Sequence, residues 1–387
     1  MRTAILGAAL LILGFLAVAV GILPVSGALA IGGRVWPILL FVVAITVVTE
    51  LAAEAGLFRV VAERTARWGR GRAWVLWLLV LALAVAGTIF LSLDTTAVLL
   101  TPVVVLLARH VGLSPLPFAL TTVWMANTAS LLLPVSNLTN LLAEHTLGGI
   151  GPLPFAALMV APAMIAIVVP SLILFVVYRR ELLVRYEPTL ESVESDRVLL
   201  VASAVTVALL VPLLVSGLPV WIPALAAALV LGGFFVARRR AALRFGLLPW
   251  QLVLLAFGLF LVVQAAHSVG LGALLATVSG TGHDPLSLLQ LSATGALGAN
   301  AIDNLPAYLA LEPVAGDPVR LAALLIGVNA GPLITPWASL ATLLWHQRLT
   351  ALDVEISWRR YVLLGLIAAP LTVVAATMGL ALLHLGT

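Results

Sequence analysis

The sequence predicts an all-α polytopic membrane protein. Of its 387 residues, 63% are hydrophobic and only 9% are charged, whereas a soluble domain carries about 25% charged residues. Many hydrophobic runs approach or exceed the ~20 residues that a helix needs to cross a bilayer. The strict alternation of polar and apolar residues that is typical of a membrane β-barrel is missing from these runs. The composition therefore excludes a soluble fold and indicates membrane-spanning helices.

The hydrophobic runs give the predicted membrane segments. The first of them belongs to an N-terminal helix within residues 1–35. Its apolar run is longer than the core of a usual secretory signal, so we expect an uncleaved helix, and the alternative is a signal cleaved near Gly27–Ala30. In order, the segments are 4–23, 36–57, 73–91, 95–109, 118–145, 153–178, 199–215, 220–236, 250–271, 287–299, 301–312, 319–345 and 361–384.

Two parts of the chain repeat one another. Trp36–Leu57 aligns with Trp250–Leu271 without a gap, and Asn127–Leu142 aligns with Asn329–Leu344. The aligned positions share Trp, Gly, Asn and Pro, which coincide by chance far less often than Leu and Ala in so apolar a chain. The predicted units are the N-terminal helix (1–35), repeat 1 (36–178), a cytoplasmic linker with two connecting transmembrane helices (179–249) and repeat 2 (250–387).

The predicted topology places the two repeats in opposite orientations. Each repeat is read as a spanning helix, a re-entrant helical hairpin, a broken spanning helix and a final spanning helix, which together cross the membrane an odd number of times. The two connecting helices preserve this parity, so the repeats are inverted. All 20 basic residues are Arg, and this topology puts all of them on one face except Arg34 and Arg320. The positive-inside rule then predicts a cytoplasmic-membrane protein with its N-terminus in the cytoplasm and its C-terminus outside.

Inverted repeats with interrupted helices are typical of secondary transporters. In both repeats Pro residues break an otherwise apolar segment and leave backbone carbonyls unpaired, which is tolerated at membrane depth only where the backbone is buried in protein or lines a wet cavity. A Pro kink repaired by Ser and Thr is the alternative for either segment alone. The polar residues of these segments that we expect to bind substrate or ion are Asn127, Thr128, Ser130, Ser136, Asn137, Asn329, Thr335 and Ser339.

Each predicted hairpin contains an acid followed by a polar residue, Asp94-Thr95 in repeat 1 and Asp303-Asn304 in repeat 2. The two acids are interpreted as equivalent positions. The segments after them, 95–109 and 301–312, look too short to span, which predicts re-entrant hairpins. Because an ionisable group within a bilayer is costly and is by default part of an ion or proton path, Asp94 and Asp303 are the predicted proton-coupling residues. Helix caps at the membrane surface are the alternative.

Other classes of function find little support in the sequence. Cys is missing, so no thiolate can bind a metal or attack a substrate, and neither a His-Glu-x-x-His zinc motif nor a phosphate-binding Gly loop occurs. An intramembrane aspartyl protease would use paired acids, but the repeat explains both acids without an enzyme. We therefore expect no enzyme, no cofactor, no metal and no nucleic-acid partner. Glu50 and Glu54, one turn apart in a predicted span, are expected to snorkel or to pair with loop Arg residues.

Four stretches resemble the arsenite efflux permease family: Ser92–Val103, Ala126–Asn140, Pro249–Leu271 and above all Gly331–Trp345. That family belongs to the ion transporter superfamily, together with divalent anion:sodium symporters and some sodium/proton antiporters. The resemblance implies a homodimer with an elevator-like mobile domain that exports arsenite or antimonite as the neutral trihydroxide in exchange for protons. It leaves open an ATPase partner.

The resemblance assigns Asp94 to the first hairpin and Thr128–Asn140 and Gly331–Thr342 to the broken helices. The chain departs from the family pattern at three positions: Asn127 stands where Asp is usual, Asp303 where Asn is usual, and Leu333 where Lys is frequent. The acid is therefore moved from one side of the site to the other, which keeps a proton carrier. A Na⁺- or proton-coupled carrier of another ion, such as a dicarboxylate or sulfate symporter or a sodium/proton antiporter, is the alternative.

Overall fold

The fold is built from helices, as seen in a computed structural model that describes residues 2–187 and 196–384. Part of the predicted linker, residues 188–195, lies outside the described residues. The helices of the first half are α1 (Arg2–Ala19), α2 (Val25–Glu54), α3 (Leu57–Trp68), α4 (Ala73–Phe90), α5 (Leu93–His110, with a π-helical turn at Thr96–Leu100), α6 (Leu116–Thr128), α7 (Leu138–Thr146) and α8 (Pro152–Val177).

The second half continues in the same way after the linker. Its helices are α9 (Arg197–Val215), α10 (Trp221–Arg238), α11 (Trp250–Ser268), α12 (Leu271–Val278), α13 (Pro285–Ile302), α14 (Asn304–Ala315), α15 (Pro318–Ala330), α16 (Leu340–Thr350) and α17 (Trp358–His384).

Eight helices in the described part of the chain are long and apolar enough to cross a membrane. The prediction of an all-α polytopic membrane protein is confirmed. One of the eight is α5, whose 18 residues make it longer than the short hairpin arm expected from the sequence, whereas its counterpart α14 has 12 residues. Re-entrant hairpins and opposite orientations of the repeats stay predictions.

Two helices differ from the expected boundaries. Helix α2 begins at Val25, well before the predicted start at residue 36, because Gly32, Gly33 and Arg34 continue the helix instead of forming a loop. Helix α3 occupies a stretch that contains no apolar run. It is amphipathic, burying Phe58 and Ala62, and a search for apolar segments cannot detect a helix whose other face is charged.

The apolar side chains form two large cores. One includes Ala44 and Leu305, and the other includes Leu93, Trp124 and Ala341. Residues of both cores line the same cavity, which holds the candidate functional site. The site therefore lies where the two cores meet.

Helices α1 and α11 pack at unusually short range because Gly residues face the partner backbone. A Cβ atom on Gly7 would lie 2.8 Å from the Leu255 nitrogen, and one on Gly258 would lie 2.7 Å from the Leu11 nitrogen. Membrane helices have little hydrophobic drive to associate, so small residues that allow close backbone approach provide the attraction. This packing holds the N-terminal helix against repeat 2.

Replacing Gly258 by Ala tests this packing. A methyl group there must push the α1 backbone away, and we expect the Gly258→Ala protein in detergent to unfold at a lower temperature than wild type, with about 1–3 kcal/mol of overpacking cost. Gly232→Ala on α10 is the matched control, because a Cβ atom there meets nothing within 4 Å. Removing a helical Gly should stabilise that variant slightly. Equal shifts for the two variants would contradict the proposed contact.

Candidate functional site

The two hairpin turns contain residues in a backbone conformation that almost only Gly adopts. Ser92, between α4 and α5, has φ 151° and ψ 163°, and Asp303, between α13 and α14, has φ 135° and ψ 156°. Such conformations cost about 1–3 kcal/mol each and cluster at functional sites. Each residue caps the following helix: Ser92 Oγ accepts from the Thr95 amide at 3.2 Å, and Asp303 Oδ1 accepts from the Leu305 amide at 3.1 Å.

These backbone angles pair Asp303 with Ser92, not with Asp94. The spacing agrees, because Pro102 and Pro313 follow Ser92 and Asp303 at the same distance along the chain. The equivalence of the two acids expected from the sequence was therefore wrong by two residues. That expectation rested on residue type, whereas the backbone conformation of the turn identifies the matching position. The acids nevertheless come from matching turns of the two hairpins.

The helices interrupted by Pro break in the same register in both repeats. Helix α6 ends at Thr128 and α7 starts at Leu138, while α15 ends at Ala330 and α16 starts at Leu340. Asn137 and Ser339, which precede the second halves, have matching extended backbones, with φ/ψ of −152°/146° and −149°/136°. The predicted alignment of these two positions thus agrees with their local geometry.

The hairpin turns and the starts of α7 and α16 meet at one cavity of about 500 Å³. Its remaining wall is mostly apolar and comes from α1, α2 and α11. Among the described residues that line it, two are acidic and none is basic. The polar lining residues of these turns and helix starts are Ser92, Asp94, Asn137, Asp303, Asn304 and Ser339. Five of the predicted site residues are therefore brought together here, and sequence reasoning missed Ser92.

Four helices start at this cavity, namely α5, α7, α14 and α16. Their first amides carry partial positive charge. The caps of the first three come from Ser92, Asn137 and Asp303, whereas the side chain of Ser339 makes no capping bond to α16. The Ser339 hydroxyl is buried without a hydrogen-bond partner among the described residues. Among the described residues, the Ser339 hydroxyl therefore offers a free polar group to a bound molecule.

Two Asn side chains that sequence analysis did not select repair the broken helices. Asn140 donates to the carbonyls of Ser130 and Leu133 at 2.6 and 3.0 Å. Asn300 donates to the Gly331 carbonyl at 2.8 Å and accepts from the Thr335 amide at 3.0 Å. Asn140 ends one of the quoted motifs and Asn300 stands three residues before Asp303, but the choice between lining a cavity and bridging a gap depends on tertiary packing.

Asn329 joins the two broken helices to each other. Its Oδ1 accepts from Asn137 Nδ2 at 3.0 Å and from Thr139 Oγ1 at 2.9 Å, and its Nδ2 donates to Asn140 Oδ1 at 2.7 Å. All four side chains are buried. Asn329, predicted to bind substrate, thus has its side-chain groups fully occupied by the protein.

The repeat counterpart of Asn329 has no such network. Asn127 donates to the Val123 carbonyl at 2.9 Å, but its Oδ1 is buried and has no partner among the described residues. Thr95 contacts Ser92 Oγ and lines a smaller cavity that adjoins the first. The other predicted residues use their hydroxyls within the protein: Thr128 donates to the Trp124 carbonyl (3.0 Å), Ser130 to Asn127 (2.7 Å), Ser136 to Ile89 (2.9 Å) and Thr335 to Asn300 (2.8 Å).

A partly buried ion pair joins three elements farther along the helices. Arg34 on α2 pairs with Glu312 on α14, whose carboxylate also accepts from Thr146 Oγ1 at 2.5 Å and from the Tyr308 hydroxyl at 2.8 Å. Arg34 donates to Thr146 Oγ1 at 2.8 Å. We call this cluster the Arg34–Glu312 latch. The latch connects α2 with α14, the second half of a hairpin, and with α7, the second half of a broken helix.

The fold and the cavity are those of a multi-pass membrane transporter. Among the described residues, no group of His, Asp or Glu could hold a metal ion. The model of a family described as "Citrate transporter" matches residues 2–342. The chain also resembles the arsenical pump membrane protein of Escherichia coli K12, with 32% identity over 361 residues that cover 86% of this chain and 83% of that protein.

A second relative, the arsenical pump membrane protein of Yersinia enterocolitica, is 30% identical over 380 residues, covering 91% of this chain and 87% of the relative. The chain therefore belongs to the family described as "Citrate transporter". It also belongs to the arsenical pump membrane proteins, as the sequence motifs predicted. These relatives are transporters and not enzymes. A solved structure of a YdaH transporter from Alcanivorax borkumensis has the same fold, with a TM-score of 0.60 at 15% identity, and covers 100% of this chain and 98% of that one.

The network around Asn329 predicts an asymmetry in stability between equivalent residues. Asn329→Leu leaves buried groups of Asn137, Thr139 and Asn140 unpaired, each at about 1–3 kcal/mol, so we expect a clearly lower unfolding temperature. Asn127→Leu removes an oxygen that has no partner and should have a smaller effect. Thermal unfolding of both purified variants checks this. A larger loss for Asn127→Leu would contradict the described network.

Proposed function

We propose that the protein exports arsenite and antimonite across the cytoplasmic membrane in exchange for protons. The observation that carries the proposal is the pairing of Asp94 and Asp303 in one cavity whose described lining contains no basic side chain. A neutral trihydroxide needs no opposite charge, and its hydroxyl groups can donate to the carboxylates. It can also accept from the Ser339 hydroxyl, which has no partner among the described residues.

Coupling follows from competition for the same carboxylates. When Asp94 and Asp303 carry protons they no longer attract hydroxyl donors, and when they bind the cargo they hold no proton. Each transport cycle then moves cargo in one direction and protons in the other. This exchange needs no cofactor and no ATPase subunit in order to operate.

The weak ligands of this site suit a carrier that must release its cargo. The chain contains no Cys, so trivalent arsenic cannot form the thiolate bonds that a soft metalloid favours. Hydrogen bonds to the carboxylates and from the Ser339 hydroxyl remain. Each net hydrogen bond contributes only about 0.5–1.5 kcal/mol, which permits rapid dissociation.

The orientation and assembly belong to the same proposal. The Arg-rich face is cytoplasmic, with the N-terminus inside and the C-terminus outside, and the protein forms a homodimer in which the hairpins and broken helices move against α2 and α11. A single Cys residue added at one terminus or the other, and labelled in intact cells, tests the orientation. Labelling of the N-terminal Cys residue from outside would overturn it.

An anion carrier is the second candidate. The description of the matching family as a citrate transporter and the four helix starts at the cavity favour it, because helix N-termini attract anions. The two acids and the lack of a basic lining side chain oppose it. Citrate transport driven by a Na⁺ gradient, with no arsenite transport, would establish this alternative.

Everted membrane vesicles from bacteria that lack other arsenite pumps test the proposal directly. Acidification of the vesicle interior should drive uptake of labelled arsenite, and a protonophore should abolish it. Unlabelled antimonite should compete, whereas citrate should not. Uptake that is indifferent to the proton gradient would overturn proton coupling, and a complete lack of arsenite uptake would overturn the substrate.

Replacing each of the two acids tests its role in arsenite uptake. Asp94→Asn and Asp303→Asn each remove a charged acceptor worth about 1.5–3 kcal/mol, so we expect half-maximal uptake to need about tenfold or more arsenite. Residual uptake should depend less on the gradient. Glu355→Gln, at an exposed acid outside the cavity, is the matched control and should behave like wild type. Normal gradient-driven uptake in both Asn variants would contradict the assigned roles.

A further inference from the structure

Glu50 occupies the junction between the acidic cavity and the Arg-rich face of the protein. The cavity that contains Asp94 adjoins a second one of about 350 Å³, which is lined by both Asp94 and Glu50. Glu50 also lines a third cavity of about 580 Å³, which we call the vestibule. The charged residues and the His of the vestibule are Glu50, Glu54, Arg59, Glu63, His110, Arg244 and Arg348.

The position of Glu50 on α2 places it close to the acidic cavity. Thr46, one turn earlier on the same helix, lines both that cavity and the second one. At 1.5 Å per residue, Glu50 lies about 6 Å farther along the helix axis than Thr46. No other acidic side chain lines the second cavity together with Asp94 among the described residues.

The carboxylate of Glu50 is not committed to an ion pair. Glu54, one turn farther along α2, forms an ion pair with Arg239 at 3.1 Å, whereas Glu50 has neither an ion pair nor a side-chain hydrogen bond among the described residues. Of the two acids expected to snorkel or to pair with loop Arg residues, only Glu54 forms such a pair among the described residues.

The groups that face Glu50 are of opposite kinds. Arg348 on α16 and Arg244 before α11 act on it as positive charges, and Glu54 acts as a negative one. Asp94 lies on the side of the second cavity. The remaining groups of the vestibule are Arg59, Glu63 and His110. Glu50 therefore lies between a carboxyl group inside the protein and an opening that contains both Arg and Glu side chains.

The repeat counterpart of Glu50 lacks the charge. The alignment of Trp36–Leu57 with Trp250–Leu271 pairs Glu50 with Gln264. Gln cannot exchange a proton near neutral pH, so only one of the two matching positions can take part in proton transfer. This difference gives the proton path one preferred side.

We propose that Glu50 relays protons between Asp94 and the vestibule, an inference that rests on the proposed proton exchange. When Asp94 releases a proton toward the cytoplasm, the O–H bond of its carboxyl group breaks. A new O–H bond then forms on the Glu50 carboxylate through intervening water. Glu50 then gives that proton to water in the vestibule and returns to its anionic form. No oxidant or further reactant takes part.

Two transport measurements on Glu50→Gln separate a relay from a structural role. Gradient-driven arsenite uptake into everted vesicles requires net proton transfer, whereas exchange of labelled for unlabelled arsenite without a gradient does not. We expect Glu50→Gln to slow gradient-driven uptake by about tenfold or more, as loss of a proton-transfer group does, and to leave exchange unchanged. Glu50→Asp should recover part of the gradient-driven rate.

Glu355→Gln is the control, because it removes an exposed acid that lines none of the three cavities and should alter neither measurement. Loss of both activities in Glu50→Gln, or normal values of both in a protein whose wild type responds to the gradient, would overturn the relay alone. A wild type that ignores the proton gradient would overturn the proposed function as well as the relay.

Discussion

The structure depends on satisfying the backbone groups of two helices that break inside the membrane. Unpaired carbonyls and amides cannot turn to lipid, so each break needs side chains that replace the missing helical bonds. Asn140 serves the first break and Asn300 the second. Asn329 then ties the breaks together. Because amides both donate and accept, a few Asn residues complete what Pro134 and Pro336 interrupt.

Once the breaks are satisfied, the remaining polar groups determine the chemistry of the cavity. The first repeat contributes Asn137, whose amide is engaged with Asn329, whereas the second contributes the free hydroxyl of Ser339. The acids come from both hairpins. Two copies of one architecture therefore produce an unsymmetrical site, in which the side chain of Asn137 is engaged by the protein and the hydroxyl of Ser339 has no partner among the described residues.

The sequence predicted those features that follow from local rules. Pro residues in apolar segments marked both breaks. Coincident Asn residues predicted the pairing of Asn127 with Asn329, and the matching limits of helices α6 and α15 agree with it. The class of fold and the family followed from composition and motifs.

Other features depend on conformation or on distant contacts. The unusual φ of Ser92 leaves no trace in residue type, and the bridging role of Asn300 depends on packing against a loop 31 to 35 residues away. The ion pair between Arg34 and Glu312 joins residues 278 positions apart. Residue types alone could not distinguish these side chains from cavity-lining ones. For the same reason, Glu50 and Glu54 looked alike in the sequence.

The Arg34–Glu312 latch and the vestibule lie toward opposite ends of α2. Arg34 and Glu50 are 16 residues apart, or about 24 Å along a helix, which approaches the ~30 Å thickness of the hydrocarbon layer. The cavity therefore adjoins openings on the Arg-rich side, while the latch ties α2 to α7 and α14 on the other side. A carrier that exposes its site alternately must separate these elements. Glu312 is buried whereas Arg34 is partly exposed, so separation of these elements would leave the Glu312 carboxylate without its charged partner, and the latch therefore favours the joined arrangement.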